Sequence, residues 1–198
     1  MQKVLGLFFI LQFIFFPAFS QEKWMKKHGF EIPKHSIIVG YGHPKDTFNL
    51  PEGLYRPIFI NFRTYYEYKS WKNVLPSNLR LYIFSEPQIN PVMLYKEGKT
   101  KWEFEFGVNN GIQSELILTP KINFFMYVSS GPHFFSIQTK RQVRGFIFSN
   151  SLGSGLIFKL NEKLSLMTMF KIRHMSNANT MFPNHGINTW NYLLGLEF

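Results

Sequence analysis

The sequence predicts an all-β chain that closes into an eight-stranded antiparallel transmembrane β-barrel. Two observations lead there. Aromatic residues are 18% of the chain and 23 residues are Phe, yet mean hydropathy is only −0.11. Abundant rings without long apolar runs mean that apolar and polar side chains are interleaved, as in strands with one face to lipid and the other to a polar lumen. The second observation is periodicity. Beyond residue 35 the alternation has period two, which belongs to strands rather than helices.

Residues 1–20 come before the barrel. Lys3 is a positive start, residues 4–16 are apolar, and Ala18-Phe19-Ser20 is a small-x-small cleavage site. This is a signal peptide for export. Residues 21–34 carry Lys23, Lys26 and Lys27 and are expected to be a periplasmic lead-in. Residues 35–198 form the barrel domain.

Residues 35–41 are the first strand candidate, and 46–55, with Asn49, Pro51 and Gly53, read as a loop. In 56–68, Ile58, Ile60, Phe62, Thr64, Tyr66 and Tyr68 share a face, and β-formers dominate. Residues 69–78 connect to a strand at 79–85. Pro87 and Pro91 are expected to break or bulge that strand, because proline cannot donate to a ladder. In 101–118, Trp102, Phe104, Phe106 and Val108 oppose Glu103, Glu105 and Asn109. A tight turn at 119–121 leads to Ile122, Phe124, Met126 and Val128, opposite Asn123 and Ser129. Residues 130–143 read as a long loop. In 144–160, Phe146, Phe148, Leu152, Leu156 and Phe158 oppose Ser149, Ser151, Gly153, Gly155 and Lys159, and the small residues suit a crowded interior. A turn at 161–163 precedes a strand at 164–176, a loop at 177–187 and a last strand. That strand places Trp190, Tyr192, Leu194, Leu196 and Phe198 on one face and ends the chain on an aromatic residue. The ending resembles the C-terminal signal of bacterial outer-membrane barrels. A soluble β-barrel or sandwich also alternates, but its outward faces are not expected to be this apolar.

There is no cysteine, so an exported chain of this size needs another source of stability, which sheet closure supplies. Net charge is +10, which in an exported protein fits anionic head groups or lipopolysaccharide phosphates better than nucleic acid, and equally fits plain solvation. Lys99, Lys140 and Arg141 fall in expected outer loops. His133 and His185 have no second ligand at metal-site spacing, so no metal and no cofactor is expected. Residues 145–155 are not a phosphate loop, since their glycines fall on a strand face. Glu103 and Glu105 are expected to be interior charges paired with Arg or Lys.

The strand at 164–176 carries the chemistry. Its even positions run Leu164, Leu166, Thr168, Phe170, Ile172, His174 and Ser176, while Lys171 and Arg173 lie on the other face. A reactive-looking pair therefore continues an apolar stripe. Asn188 opens the paired last strand on the same side. A serine needs a base to accept its proton, and the base needs a third group to fix its tautomer. Ser176, His174 and Asn188 are the candidates for these roles. With an even number of strands, both termini are periplasmic and Pro120 and Glu162 mark periplasmic turns. The three residues then lie at the outer rim, among outer-leaflet lipid.

The run His174-Met175-Ser176-Asn177-Ala178, followed by Pro183-Asn184-His185-Gly186-Ile187-Asn188, resembles the active-site region of the PagL-type lipid A 3-O-deacylases. Looser similarity extends through most of the chain after residue 20. The resemblance implies an eight-stranded outer-membrane barrel that hydrolyses the ester-linked acyl chain at the 3-position of lipid A. It implies Ser176 as nucleophile, His174 as base and Asn188 at the position of the triad acid. Asn177 and Asn184 match the oxyanion-stabilising region. Two positions depart from the pattern: Asn179 replaces a glycine and Asn188 replaces the acid. Asn tolerates the left-handed backbone better than most residues, so the turn at Asn179 is expected to persist. Two alternatives remain at this stage. One is a non-catalytic or weakly active barrel of the same fold. The other is a lumen that binds or transports a ligand, for which eight strands leave little room. Oligomeric state, acyl-chain preference and strand boundaries in 69–100 stay open.

Overall fold

The computed structural model describes residues 26–44, 55–96, 98–139 and 141–198. Residues 1–25, which include the expected signal peptide and the start of the lead-in, lie outside them, as do most of the first loop and Lys140. The strands are β1 (Phe30–Glu31), β2 (His35–Pro44), β3 (Tyr55–Tyr68), β4 (Leu79–Lys96), β5 (Lys99–Thr119), β6 (Ile122–Phe135), β7 (Gly145–Lys159), β8 (Ser165–Ser176) and β9 (Ile187–Glu197). A one-turn helix α1 (Trp71–Val74) lies between β3 and β4. Each long strand pairs antiparallel with its neighbour in sequence, and β9 pairs back onto β2 from Ser36↔Glu197 to Pro44↔Thr189. The ring β2–β9 is therefore closed. Closure matters in lipid, where an unpaired backbone group costs several kcal/mol. β1 stands outside the ring and, among the described residues, pairs only with the end of β3, at Phe30↔Tyr68 and Glu31↔Glu67.

Two strands differ from expectation. β4 is not broken at its prolines but runs on to Lys96. Its ladder to β5 is continuous from Leu79↔Leu116 to Lys96↔Lys99. Its ladder to β3 skips at Glu86–Pro87 and again at Asn90–Pro91. Each proline gives up a donor on one side only, and the strand survives on its other partner. The second difference is β6, which continues through residues read as loop and ends at Phe135. Its last residues pair with both β5 and β7, at Phe135↔Glu105 and Phe135↔Gly145. Tertiary pairing there overrides the turn signal of Ser130-Gly131-Pro132.

Alternation sorts the side chains as expected. Outward positions carry exposed Ile37, Val39, Ile60, Phe62, Phe104, Phe106, Val128, Leu152, Leu194 and Phe198, an apolar wall of the kind that stands in lipid. Inward positions fill the lumen in layers. Near the turn end of β8, an apolar layer holds Ile38, Phe59, Phe84, Phe125, Tyr127, Met167 and Leu193. Gly153 and Gly155 make room there, since a Cβ at either would overlap the ring of Tyr127 or Phe125. Near the other end, Tyr55, Val92, Leu94, Phe135, Ile137, Ile147, Met175 and Ile187 form a second apolar layer.

Between these layers lies a buried polar set. The Arg173 guanidinium meets Glu105 at 2.7 Å, and both side chains are fully buried. Arg173 Nε donates to Ser149 Oγ at 2.8 Å, and Tyr55 Oη donates to Glu105 at 2.8 Å. Arg63 pairs with Glu86, which also accepts from Asn61 and Gln88. Glu105 is thus the interior charge expected. Glu103 is only half-buried and accepts from Ser136 Oγ at 2.8 Å. At the turn end, Lys34 enters the lumen mouth and pairs with Glu115 and, at 2.8 Å, with Glu197. The packed interior fits the small bore of an eight-stranded ring.

Removing one partner of a buried ion pair strands the other charge, at a cost of about 3–5 kcal/mol. Glu105→Ala should therefore lower the urea midpoint of the folded barrel markedly, read by the gel-mobility shift of heated against unheated protein. The double variant Glu105→Leu with Arg173→Met should recover much of the loss.

Candidate functional site

Strand parity and pairing build the site. Along β8 the odd residues from Ser165 to Met175 are buried, and the even ones from Leu166 to Ser176 face outward. His174 and Ser176 therefore share the outer face, while Arg173 between them and the turn points into the lumen. β9 pairs with β8 in the register His174↔Asn188, so the two side chains stand directly opposite each other on the outer face. Asn188 Oδ1 lies 2.7 Å from His174 Nδ1. A carbonyl oxygen can only accept, so Nδ1 carries the proton and Nε2 keeps its lone pair. That is the tautomer a general base needs.

Ser176 is the last residue of β8, two positions beyond His174 on the same face and half-buried. Among the described residues no hydrogen bond joins its hydroxyl to His174. The α-carbons are separated by about 7 Å, within reach of converging side chains, and such contacts commonly tighten only when substrate is bound.

Gly186 seats the imidazole. Its φ is +69°, and a Cβ there would fall 2.7 Å from His174 Cε1 and 3.1 Å from the Met175 carbonyl oxygen. A side chain at 186 would meet both backbone strain and the ring. No local pattern marks this role of the glycine, since the clash involves a residue twelve positions earlier.

The loop after Ser176 is held by its own asparagines. Asn177 N–H donates to Asn184 Oδ1 at 2.9 Å, and Asn177 Nδ2 donates to the Met181 carbonyl at 2.7 Å. Asn184 Nδ2 donates to Asn179 Oδ1 at 2.8 Å. Ala178 and Asn179 both adopt left-handed backbone, with φ of 54° and 61°. Asn179 thus keeps the turn that a glycine would make there. A second loop, between β6 and β7, braces the first. His185 N–H donates to the Arg141 carbonyl at 2.7 Å, Val143 N–H to the Pro183 carbonyl at 3.1 Å, and Gln142 bridges to Asn184.

The other singled-out residues are placed elsewhere. His133 is buried in the lumen, with Nε2 3.2 Å from Asn109 Oδ1 and Nδ1 3.5 Å from Arg173 Nη2. Lys99 is exposed at the tip of the β4–β5 hairpin, and Arg141 is half-buried in the bracing loop. Lys140 lies outside the described residues.

Comparison with known proteins identifies the family and the fold. The profile of the family described as lipid A 3-O-deacylase (PagL) matches residues 60–197, a span that holds all three candidate residues. Among solved structures, the outer-membrane enzyme PagL aligns with 82% of this chain and 97% of its own, at 18% identity and a TM-score of 0.54. Neisserial surface protein A aligns with 85% of this chain and 96% of its own, at 9% identity and a TM-score of 0.55. At these identities the structural likeness establishes the barrel alone. No curated protein sequence matches the chain significantly.

Gly186→Ala should push the imidazole away from Asn188. In a crystal structure of that variant the Nδ1–Oδ1 separation should exceed about 3.5 Å, the limit of a hydrogen bond. An unchanged 2.7 Å contact would show that the ring does not depend on the glycine.

Proposed function

Since the chain belongs to the lipid A 3-O-deacylase (PagL) family and is a barrel of the Gram-negative outer membrane, we propose that it is a serine esterase acting on the 3-O-linked acyl chain of lipid A. The observation that carries the reading is the hydrogen bond from His174 Nδ1 to Asn188 Oδ1, made on the outer face beside the family's serine position. In this reading the outer face at residues 174–188 lies against lipid in the outer leaflet, and the substrate reaches the site laterally.

The reaction runs in two halves. Ser176 Oγ attacks the ester carbonyl carbon, and its proton passes to His174 Nε2 as the carbonyl π pair moves onto oxygen. The tetrahedral intermediate collapses, the bond to the sugar oxygen breaks, and that oxygen takes the proton from His174. Water, deprotonated by His174, then attacks the acyl-serine, and collapse returns the proton to Ser176 Oγ and releases a fatty acid. Asn188 holds the tautomer throughout. Asn177, Asn179 and Asn184 shape the loop over the carbonyl, with the left-handed turn at Ala178–Asn179 contributing backbone N–H groups to the oxyanion region. Lys99, Lys140 and Arg141 are proposed to meet lipid A phosphates.

One observation favours a second reading, a weakly active barrel of the same fold. Residue 188 carries an amide, which fixes the tautomer but does not stabilise an imidazolium as a carboxylate does. In serine proteases the loss of that carboxylate lowers turnover by about 10⁴-fold.

The test is expression in a Gram-negative host without its own deacylase, followed by mass analysis of extracted lipid A. The expected result is loss of one hydroxyacyl chain, abolished by Ser176→Ala and by His174→Ala. Unchanged lipid A from properly inserted protein would refute the esterase reading. Asn188→Leu should lower turnover on the order of 10²-fold or more by releasing the tautomer, whereas Asn188→Glu should raise it above that of the natural chain.

A further inference from the structure

A row of polar side chains crosses the outer wall at the height of His174. β6, β7, β8 and β9 are paired in the register Ser130↔Asn150, Asn150↔His174 and His174↔Asn188. All four side chains are exposed on the outer face. The next outward row toward the turns is apolar, through Val128, Leu152, Ile172 and Trp190, and the row toward the loops holds Pro132, Phe148 and Ser176. Asn150 therefore interrupts an outward stripe of Phe146, Phe148 and Leu152. An amide facing hydrocarbon without partners costs free energy on the order of several kcal/mol. One half of this amide is accounted for, because Ser130 Oγ donates to Asn150 Oδ1 at 2.7 Å. That bond fixes the orientation of the amide and, among the described residues, leaves Nδ2, a double donor, without a hydrogen-bond partner. Asn150 stands directly across from His174 on the side opposite Asn188, and diagonally about 7–8 Å from Ser176 between α-carbons.

Two asparagines of the loop are otherwise engaged, while Asn179 accepts from Asn184 at Oδ1 and belongs to the left-handed turn. Asn177 and Asn184 commit their amides to the turn itself. Among the described residues, Asn150 has no such commitment at Nδ2.

We infer that Asn150, oriented by Ser130, is a further catalytic residue whose Nδ2 donates to the carbonyl oxygen of the lipid ester attacked by Ser176. The inference rests on the esterase reading and deepens it. As the Ser176 Oγ–carbon bond forms, the carbonyl π pair becomes a full charge on oxygen, and the Ser176 proton moves to His174. A donor from β7 then strengthens its bond to that oxygen in the transition state. The same donor is an acceptor-seeking group in the resting protein, so the substrate carbonyl also relieves its exposure to hydrocarbon. Ser130 acts at one remove, as a positioning residue.

The experiment uses the full-length barrel in detergent with purified lipid A, and measures kcat and KM by release of fatty acid. Removal of one oxyanion donor lowers kcat by about 10²–10³-fold in enzymes of this chemistry. Asn150→Ala should show such a fall in kcat with a small change in KM. Asn150→Asp, which keeps the shape but has no donor, should behave like Asn150→Ala. Asn150→Gln should restore part of the rate, and Ser130→Ala should lower kcat by a smaller factor. Gel mobility of unheated protein reports whether each variant is folded. The inference is overturned if folded Asn150→Ala and Asn150→Asp retain the kcat of the natural chain while Ser176→Ala is inactive. That result would leave the esterase reading standing. A natural chain as inactive as Ser176→Ala overturns both.

Discussion

The outer face at the end of β8 depends on a charge pair on the inside of the wall. Arg173 and Glu105 meet in the lumen at 2.7 Å, each without exposure to solvent. Arg173 sits next to His174 in the chain, and a strand sends successive side chains to opposite faces. Whatever fixes Arg173 inward therefore fixes His174 outward. A slip of one residue in β8 would bury the imidazole and drive a guanidinium into lipid. Ser149 and Tyr55 complete the coordination of the pair from β7 and β3. Three other strands thereby hold the inner face of the one that carries His174 and Ser176.

Side chains on the outer face are held differently from those in a cleft. No walls surround them, so neighbours in the sheet and one loop must hold them. Asn188 comes from direct cross-strand pairing, and Gly186 provides a flat seat for the ring. The loop beyond Ser176 is stiffened by its asparagines and by backbone bonds to the β6–β7 loop. The arrangement is open sideways, as the proposed lipid substrate requires.

Departures from expectation have local physical causes. The two prolines of β4 were strong signals for a break, but a strand in a closed sheet has two partners. Losing one donor on the β3 side leaves the β5 ladder whole. The residues at 130–135 looked like a loop because Gly131 and Pro132 favour turns, yet pairing on both sides keeps them extended. Asn150 is a simpler case. Its parity already marked it as a polar residue in an outward apolar stripe, but its importance depends on which residues stand beside it on β6 and β8.

The sequence by itself determined the class of fold, the sorting of side chains to the two faces, and the shared outward face of His174, Ser176 and Asn188. These follow from a period of two, which is a local property of the chain. It also carried the motif that marks the family. Tertiary structure decided which strands pair and in what register. Register sets Asn188 opposite His174, Gly186 beneath its ring, Asn150 on its other flank and Glu105 behind Arg173. Those contacts join residues from 12 to 68 positions apart, as from Gly186 to His174 and from Arg173 to Glu105, and no local pattern encodes such separations.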